Sequence, residues 1–587
     1  MSFDGIVMRA VSLELDQLLC GARIDKIYQP LPHEIIILLR QKGQNYKLLI
    51  SAHAQEARIH LVTQNKPNPA EPPLFCMVLR KHLEGGKIIS ITQQGLERIL
   101  DITCEVIDEL GDLVERKLMV EIMGRHSNII LINPQNNKIL DAIHRVPLSV
   151  SRYRQVLPGL PYQAPPPQEK ITPWEVREEE FFSRLLSTPL SQSLSKAILH
   201  TYSGLGPQTV EEIITRAGLN PSLPLEYCGQ YELTNLWLAF KEAAESIRNG
   251  KFTPEVLVLN KKPRTFSALA LIHFTSGERI SFPTMNEALD YFYRHKEETN
   301  TFQQKKADIE HLLKKEIERC EKKAGLQEQT VLEAQDTEKY RLWGELLMAH
   351  LHQLKPGKEV QVINYYSPAS EALTIPLDEH LSVLENAQVY FNKYQKAKNA
   401  AHKAKEHLAE TRAELDYLYS LSASLDTVTS VQEVDEIKEE FREAGYLKTV
   451  TPQKGKIPVK ENTSPQKVIV DGWEIYYGKN NKQNDLLTMK MAKADDIWLH
   501  AKDIPGSHVI IKNPEGKAVP DNILEAAALL AAYHSKARNS THVPIDYTLR
   551  KHVRKPKGAK PGMVIYENQR TIYITPELER IKNILGE

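Results

Sequence analysis

Apolar positions change period several times along the chain, and each change predicts a new element. Residues 4–20 place Val7, Val11, Leu15, Leu18 and Leu19 at helical spacing. Short β-branched and aliphatic runs follow at Ile24–Tyr28, Glu34–Leu39, Tyr46–Ile50 and Arg58–Val62, punctuated by Pro30, Pro32, Gly43 and Asn45. That pattern predicts antiparallel strands. Helical spacing returns over 71–84, and strands resume at Lys87–Thr92, Arg98–Val106, Lys117–Glu121 and Ser127–Ile132. Pro158, Pro161 and Pro165–Pro167 close the block, so residues 1–170 are read as a helix-decorated, mostly antiparallel β domain.

Residues 171–252 are read as helical. Within them Tyr202-Ser203-Gly204-Leu205-Gly206-Pro207 precedes Thr209–Ile214, which fits a helix-hairpin-helix with Pro early in the second helix. Such a hairpin either offers backbone N–H groups to a phosphate or simply packs the domain. Residues 253–298 form a short strand-containing link. From 299 Gly and Pro nearly vanish until Lys355-Pro356-Gly357, and Val360–Tyr365 with Ala372–Ile375 read as a hairpin. Then Ala387, Tyr390, Tyr394, Ala397, Ala401, Ala404, Leu408, Thr411, Leu415 and Leu418 follow at alternating steps of three and four. Only Thr411 breaks the apolar series, so this is a heptad seam. Two such helices around an insert near 356–380 predict an antiparallel coiled-coil arm over 299–427. An arm of about 50 residues reaches about 75 Å. Residues 428–465, with Pro452, Pro458 and Pro465, are read as a polar linker. The last block, 466–587, is read as an α/β unit. Its strands are Val468–Val470, Glu474–Tyr477, Ile497–His500, Val509–Ile511, Met563–Tyr566 and Thr571–Ile574, with a helix Asn522–Ala537 capped by Asp521. The fold class is α+β and multidomain.

Charge narrows the function. The 587 residues hold 75 Lys and Arg against 75 Asp and Glu, which excludes a uniformly basic protein but not a basic patch. Residues 550–560 contain Arg550, Lys551, Arg554, Lys555, Lys557 and Lys560 with no acid, and the block 466–587 has 19 cations against 14 acids. This is the footprint expected for phosphate backbones, with His534, His542, His552, Tyr533 and Tyr547 interleaved to stack on bases; a solvated loop is the other reading. No phosphate-binding P-loop, Ser-nucleophile elbow or His-rich metal motif is found. Neither cofactor nor metal is expected. Cys20, Cys76, Cys104, Cys228 and Cys320 are odd in number and no pair has Cys-x-x-Cys spacing, which points to a reducing compartment. With no leader and no apolar run of about 20 residues, the expectation is a cytoplasmic protein without membrane contact.

One further cluster carries chemistry. Glu121-Ile122-Met123-Gly124-Arg125-His126-Ser127-Asn128 joins two strand-like runs. Gly124 allows a turn, Arg125, His126, Ser127 and Asn128 supply donors, and Glu121 can orient the Arg125 guanidinium or accept from a base amine. Glu97-Arg98 offers a second acid–arginine pair nearby. The alternative is a hairpin with ordinary surface ion pairs.

These residues, with Ile129–Ile132, Pro158-Gly159-Leu160-Pro161-Tyr162, Glu385-Asn386-Ala387, Tyr390-Phe391, Tyr394 and the run Asp495–His508, resemble the NFACT family over nearly the whole chain. The resemblance implies an N-terminal NFACT domain, a hairpin domain, a coiled coil with a middle insert and a C-terminal NFACT RNA-binding domain. It implies a ribosome quality-control factor that binds stalled large (50S) subunits carrying peptidyl-tRNA. Such a factor recruits alanyl-tRNA and promotes non-templated alanine tailing that marks the nascent chain for degradation. The ribosome does the peptide transfer, so no enzyme is implied, and a small RqcP-like S4-domain protein assists. Glu97, Arg98, Glu121, Gly124, Arg125, His126, Ser127 and Asn128 are then tRNA-binding. Trp498, His500, Ser507, His508, Arg550, Lys551, Arg554, Lys555 and Lys557 are C-terminal RNA-binding candidates. Relatives usually carry Asp-Arg where this chain has Glu97-Arg98, so its carboxylate sits one methylene further out. Some relatives are labelled fibronectin-binding surface proteins, the alternative reading. The first domains also resemble formamidopyrimidine-DNA glycosylases, which need an N-terminal proline; Met1-Ser2-Phe3 argues against that chemistry.

Overall fold

A computed structural model describes residues 3–368, 371–447 and 464–586. They form two compact units, Met1–Thr299 and Asn300–Glu587.

The first unit opens with α1 (Gly5–Leu19), whose Asp4 carboxylate accepts from the Ile6 and Val7 N–H groups at 3.0 Å. This caps two of the amides that a helix start leaves unpaired. Nine antiparallel strands follow: β1 (Arg23–Leu31), β2 (Glu34–Gln41), β3 (Gln44–Ser51), β4 (Arg58–Leu61), β5 (Lys87–Gln93), β6 (Ile99–Ile107), β7 (Leu113–Glu121), β8 (Asn128–Asn133) and β9 (Lys138–Ala142). Their order across the sheet is β4-β3-β2-β1-β5-β6-β7-β8-β9. Between β4 and β5 lies α2 (Leu74–Leu83). Helices α3 (Glu178–Leu186), α4 (Leu194–Thr201), α5 (Pro207–Arg216) and α6 (Gln230–Arg248) follow. Ile6, Val11 and Leu15 of α1 share one apolar core with Ile37, Ile102, Ile198, Ile213 and Phe240. A smaller cluster of Ile99, Met119, Ile130, Ile132, Ile139 and Val156 forms beside it, and there the chain after β9 contributes Val156 and the partly buried Tyr162. A three-stranded sheet, β10 (Glu255–Leu259), β11 (Lys262–Ser267) and β12 (Glu278–Ser281), precedes α7.

Helix α7 (Met285–Gln335) starts 14 residues before the position expected for the arm. Its 51 residues give a length of about 75 Å. Glu14 accepts from the Met285 and Asn286 N–H groups and so caps the start.

In the second unit α8 (Glu338–Ala349), β13 (Glu359–Ile363), β14 (Ala372–Pro376) and α9 (Val383–Thr427) follow. Arg412 pairs with Glu328, Tyr419 donates to Glu321 and Tyr394 donates to Glu338, so the long helices run antiparallel. Every position of the predicted seam is buried or half-buried, Thr411 included, because its hydroxyl donates to the His407 carbonyl. The expected linker differs. Residues Val431–Glu443 form α10, capped by Ser430, and Val434, Ile437 and Phe441 bury against Ile309, Leu313 and Leu418. Pro452 and Pro458 lie outside the described residues.

The C-terminal region contains β15 (Gln466–Val470), β16 (Trp473–Tyr477), α11 (Asn481–Asp485), a π-helical turn Leu486–Met491, β17 (Ile497–Ala501), β18 (Val509–Ile511), α12 (Asp521–Tyr533), β19 (Val543–Leu549), β20 (Val553–Arg554), β21 (Ile565–Tyr566), β22 (Arg570–Ile574) and α13 (Leu578–Leu585). The main sheet order is β15-β16-β18-β17-β19-β22. Helix α12 ends at Tyr533, and Asp521 sits in its first turn without making a cap bond, in place of the expected cap and longer helix.

Candidate nucleic-acid interface

The β ladder brings the two N-terminal motifs together. Ile99 pairs with Glu121, Glu121 pairs with Asn128, and the Ile122 N–H donates to the Arg98 carbonyl at 2.8 Å. The Glu97-Arg98 turn and the turn at Gly124–His126 therefore lie side by side at one end of β6, β7 and β8. Gly124 has φ +61°, a left-handed conformation that glycine adopts without a Cβ penalty. The turn is closed by Ser127 N–H to the Gly124 carbonyl and by Met123 N–H to Ser127 Oγ at 2.9 Å.

This turn sorts the predicted residues into two groups. Arg125 and His126 are exposed, and Glu97 and Arg98 half-buried. Gly124, Ser127 and Asn128 are buried. Asn128 Oδ1 accepts from the Ile129 and His144 N–H groups, and its Nδ2 donates to the His144 carbonyl. Those two side chains shape the turn from within. Arg125 Nε donates to His126 Nε2 at 3.0 Å, which needs a neutral imidazole with its proton on Nδ1.

Glu121 corrects the sequence reading. It is buried and orients Arg154 instead of Arg125. Both Arg154 amino groups bond its carboxylate, and the Tyr162 hydroxyl donates to Glu121 Oε1 at 2.9 Å. Burial works against charge on Arg154, but the Glu121 bond and its field hold the guanidinium pKa above the ordinary value. Burial, reinforced by the Glu121 charge, raises the Tyr162 phenol. With all these bonds made, Glu121 is a brace beneath the turn.

A cleft of about 690 Å³ opens here, lined by Glu97, Arg125, His126, Arg154, Tyr153 and Pro165–Pro167 among others. Its walls are largely apolar, from Ile99, Val146, Val150 and Val156, while Arg125 and His126 stand at its rim. Sequence reasoning took 158–167 as the end of a domain and missed Tyr153, Arg154 and the prolines as wall residues. The sequence Arg152-Tyr153-Arg154, dense in donors within a loop, was the available signal. A second cleft of about 210 Å³ joins Glu97 and Arg98 to Lys170 and the hairpin Gly204–Pro207. The hairpin amide expected for a phosphate is already taken. Gly206 N–H donates to Asp4 Oδ2 at 3.0 Å, Thr209 Oγ1 donates to the same oxygen at 2.5 Å, and Gly5 N–H bonds the Gly204 carbonyl. Burial raises the Asp4 pKa even though these bonds favour its charge.

In the C-terminal region the structure places Trp498, Ser507 and His508 inside. Trp498 packs with Leu487, Ile510 and Val553, and His508 meets its ring edge-on at 5.3 Å while bonding Thr488 Oγ1 at 2.7 Å. His500 is half-buried, stacked at 5.7 Å on Trp498. Burial brings the His500 pKa down to about 4 and lowers His508 as well. These residues hold the domain together and do not form an outer face.

The basic run is likewise divided. Arg550 braces the π-helical turn by donating from Nε to the Thr488 carbonyl at 2.6 Å. Lys555 pairs with Asp485, Arg554 with Glu567, and Lys551 lies 3.8 Å from Asp495. Acids distant in sequence thus meet the run that looked uncompensated. Lys557 is exposed, with no ion-pair partner among the described residues.

Residues 4–460 match the family model of the NFACT N-terminal and middle domains, and residues 468–568 match the NFACT protein RNA binding domain. The chain belongs to the NFACT family. Within that family it is 41% identical to the Rqc2 homolog RqcH of Bacillus subtilis over 99% of both chains. It is 36% identical to the Rqc2 homolog RqcH of Streptococcus suis over the full length of both. It is 21% identical to the ribosome quality control complex subunit 2 of Schizosaccharomyces pombe, over 92% of this chain and 63% of that one. A crystal structure of the fibrinogen binding protein from Staphylococcus aureus aligns with TM-score 0.42 and 31% identity, covering 50% of this chain and 99% of that one. NFACT membership places the chain in the Rqc2/RqcH ribosome quality-control family, with an RNA-binding domain at 468–568. Among the described residues no helix is long and apolar enough to cross a membrane, and no group of three or more His, Cys, Asp or Glu could hold a metal ion.

Proposed function

We propose that this protein recruits alanyl-tRNA to stalled 50S subunits that still hold peptidyl-tRNA, and so promotes non-templated C-terminal alanine tails that target the nascent chain for degradation. It acts in the cytoplasm as a recruiter and not as an enzyme, since the ribosome forms the peptide bonds. An S4-domain protein assists on the subunit. The observation that carries the reading is the convergence of Glu97, Arg98, Arg125 and His126 at one end of the N-terminal sheet, where Glu97, Arg125 and His126 line an apolar-walled cleft and Arg98 lines the smaller one that shares Glu97. A cationic rim holds phosphate and an apolar wall holds an unstacked base, the combination used for single-stranded RNA. The full-length likeness to Rqc2 homologues supports the ribosomal setting.

The test is a tagged pull-down from cells at moderate salt, with sequencing of bound RNA. Large-subunit rRNA with one enriched tRNA family is expected, and Arg98→Ala or Arg125→Ala removes the tRNA while the protein stays folded. Wild-type tRNA recovery in both variants would refute the site, and recovery of no RNA would favour the surface adhesin.

A further inference from the structure

The C-terminal domain meets the arm base and α10 through an unusual junction. Glu433 of α10 pairs with Lys479 at 2.6 Å, and Glu443 with Lys482 at 2.8 Å. Glu436 accepts from Asn480 at 2.9 Å and from Gln483 at 3.3 Å. Lys536 lies 4.0 Å over the Tyr419 ring, Arg538 donates to the Asp426 carbonyl at 3.1 Å, and Lys560 donates to the Tyr446 hydroxyl at 2.7 Å. Three separate segments, 479–482, 536–538 and 560, thus converge with five cations on one face. Helix α10, with six acids and two bases in 13 residues, meets Lys479 and Lys482, while the end of α9 and Tyr446 meet the other three.

Two features distinguish this junction from a permanent core. The apolar cluster of α10 and the arm base is separate from the apolar cluster of the C-terminal domain. Parting the two would expose hydrogen-bonding and charged groups and no shared apolar core, as at transient interfaces. Beneath the cations His534 is 7% exposed, stacked on Tyr477, with neither ring nitrogen bonded among the described residues. His534 therefore leaves a ring N–H beneath this face without an acceptor among the described residues.

We infer that Lys479, Lys482, Lys536, Arg538 and Lys560 form a phosphate-binding face for single-stranded RNA, and that α10 together with the end of α9 covers this face as a surrogate that RNA displaces. The exposed run at 550–557 is mostly paired by its own domain's acids, whereas these five cations are matched by groups outside it. Aromatic rings already stack on Lys536 and Lys560 in the covered state, and water and phosphate replace them on opening. The inference does not depend on the tRNA site at Arg98 and Arg125.

The test uses the full chain and a fluorescein-labelled 20-mer of oligouridylate, read by anisotropy at two salt concentrations. Glu433→Gln with Glu443→Gln keeps the hydrogen-bond acceptors but removes two charges from α10. Two weak ion pairs correspond to about two- to thirty-fold tighter RNA binding. In that background Lys536→Gln with Arg538→Gln should weaken binding and flatten its salt dependence by about one unit of slope per lost phosphate contact. Hydrogen exchange supplies the second readout: oligouridylate should speed exchange across 431–443 in the unmodified chain. Unchanged affinity in the α10 variant, unchanged affinity on losing Lys536 and Arg538, or RNA binding with α10 fully protected would each make the junction a fixed joint and overturn the inference.

Discussion

Replacing Arg154 with methionine should destabilise the N-terminal unit far more than losing a surface arginine would. The Arg154 guanidinium bonds both oxygens of Glu121, whose side chain is fully buried. Among the described residues the Tyr162 hydroxyl is the other side-chain donor to that carboxylate. Arg154→Met thus leaves a buried carboxylate with one donor, and breaking such a pair from one side costs about 3–5 kcal/mol. The unit spans Met1–Thr299, so its unfolding entropy is about 0.6 kcal/mol/K at typical per-residue values. The expected fall in Tm of that unit is about 5–8 °C. Pairing Arg154→Met with Glu121→Gln removes the stranded charge and keeps the Tyr162 bond. The double variant should recover at least half of the loss, a coupling of about 2 kcal/mol or more. Differential scanning calorimetry on the four proteins of the cycle measures this. A fall below about 2 °C for Arg154→Met, or a double variant as unstable as the two single losses added, would show that Glu121 is solvated and the brace does not exist.

Glu440 should give a pH-dependent change of opposite sign to most carboxylates. Burial, opposed by bonds from Asn481 and Tyr417, pushes its pKa up to about 7 from 4.5, so between those values the folded chain keeps a proton that the unfolded chain releases. Stability therefore falls as pH rises from 4.5 to 7 and stays lower above it. Glu440→Gln should stabilise the second unit by about 1–3 kcal/mol at pH 8 and by almost nothing at pH 4.5; equal effects at both pH values in thermal melts would refute the shift. Asp4→Ala should cost about 2–4 kcal/mol, because Gly206 N–H and the Thr209 hydroxyl lose their acceptor and α1 its cap. Denaturant unfolding checks it, and a loss below about 1 kcal/mol would mean that water replaces the carboxylate.

Periodicity was the most legible part of the sequence. The seam from Ala387 to Leu418 follows from its steps of three and four, because a helix buried along one stripe leaves no other pattern. Most strands of the N-terminal sheet were equally readable. Helix α10 was not, since its buried apolar residues, Val434, Ile437 and Phe441, are embedded among six acids, most of whose partners lie in other segments. Strand β19 was missed because Pro544 reads as a strand breaker. The structure places it past the last β17–β19 pair, Ala501 with Ile545, where its carbonyl still accepts from the Lys502 N–H.

The sites were less legible for a physical reason. A dense cluster of donors and acceptors arises either because a ligand will satisfy them or because they satisfy one another, and spacing alone looks the same in both cases. The run from Trp498 to His508 and the residues Glu121, Ser127 and Asn128 are of the second kind: their partners, Thr488, Arg154, Met123 and His144, come from elsewhere in the chain. Arg125 and His126 bond each other yet stay exposed, raised on the turn that the buried residues shape. The same distinction applies to the basic C-terminal domain. Arg550 and Lys555 are satisfied within their own domain, whereas Lys479, Lys482 and Lys536 are satisfied only while α10 and the arm base stay in place. A cation whose partner can leave is available to RNA; a cation fixed in its own domain is not.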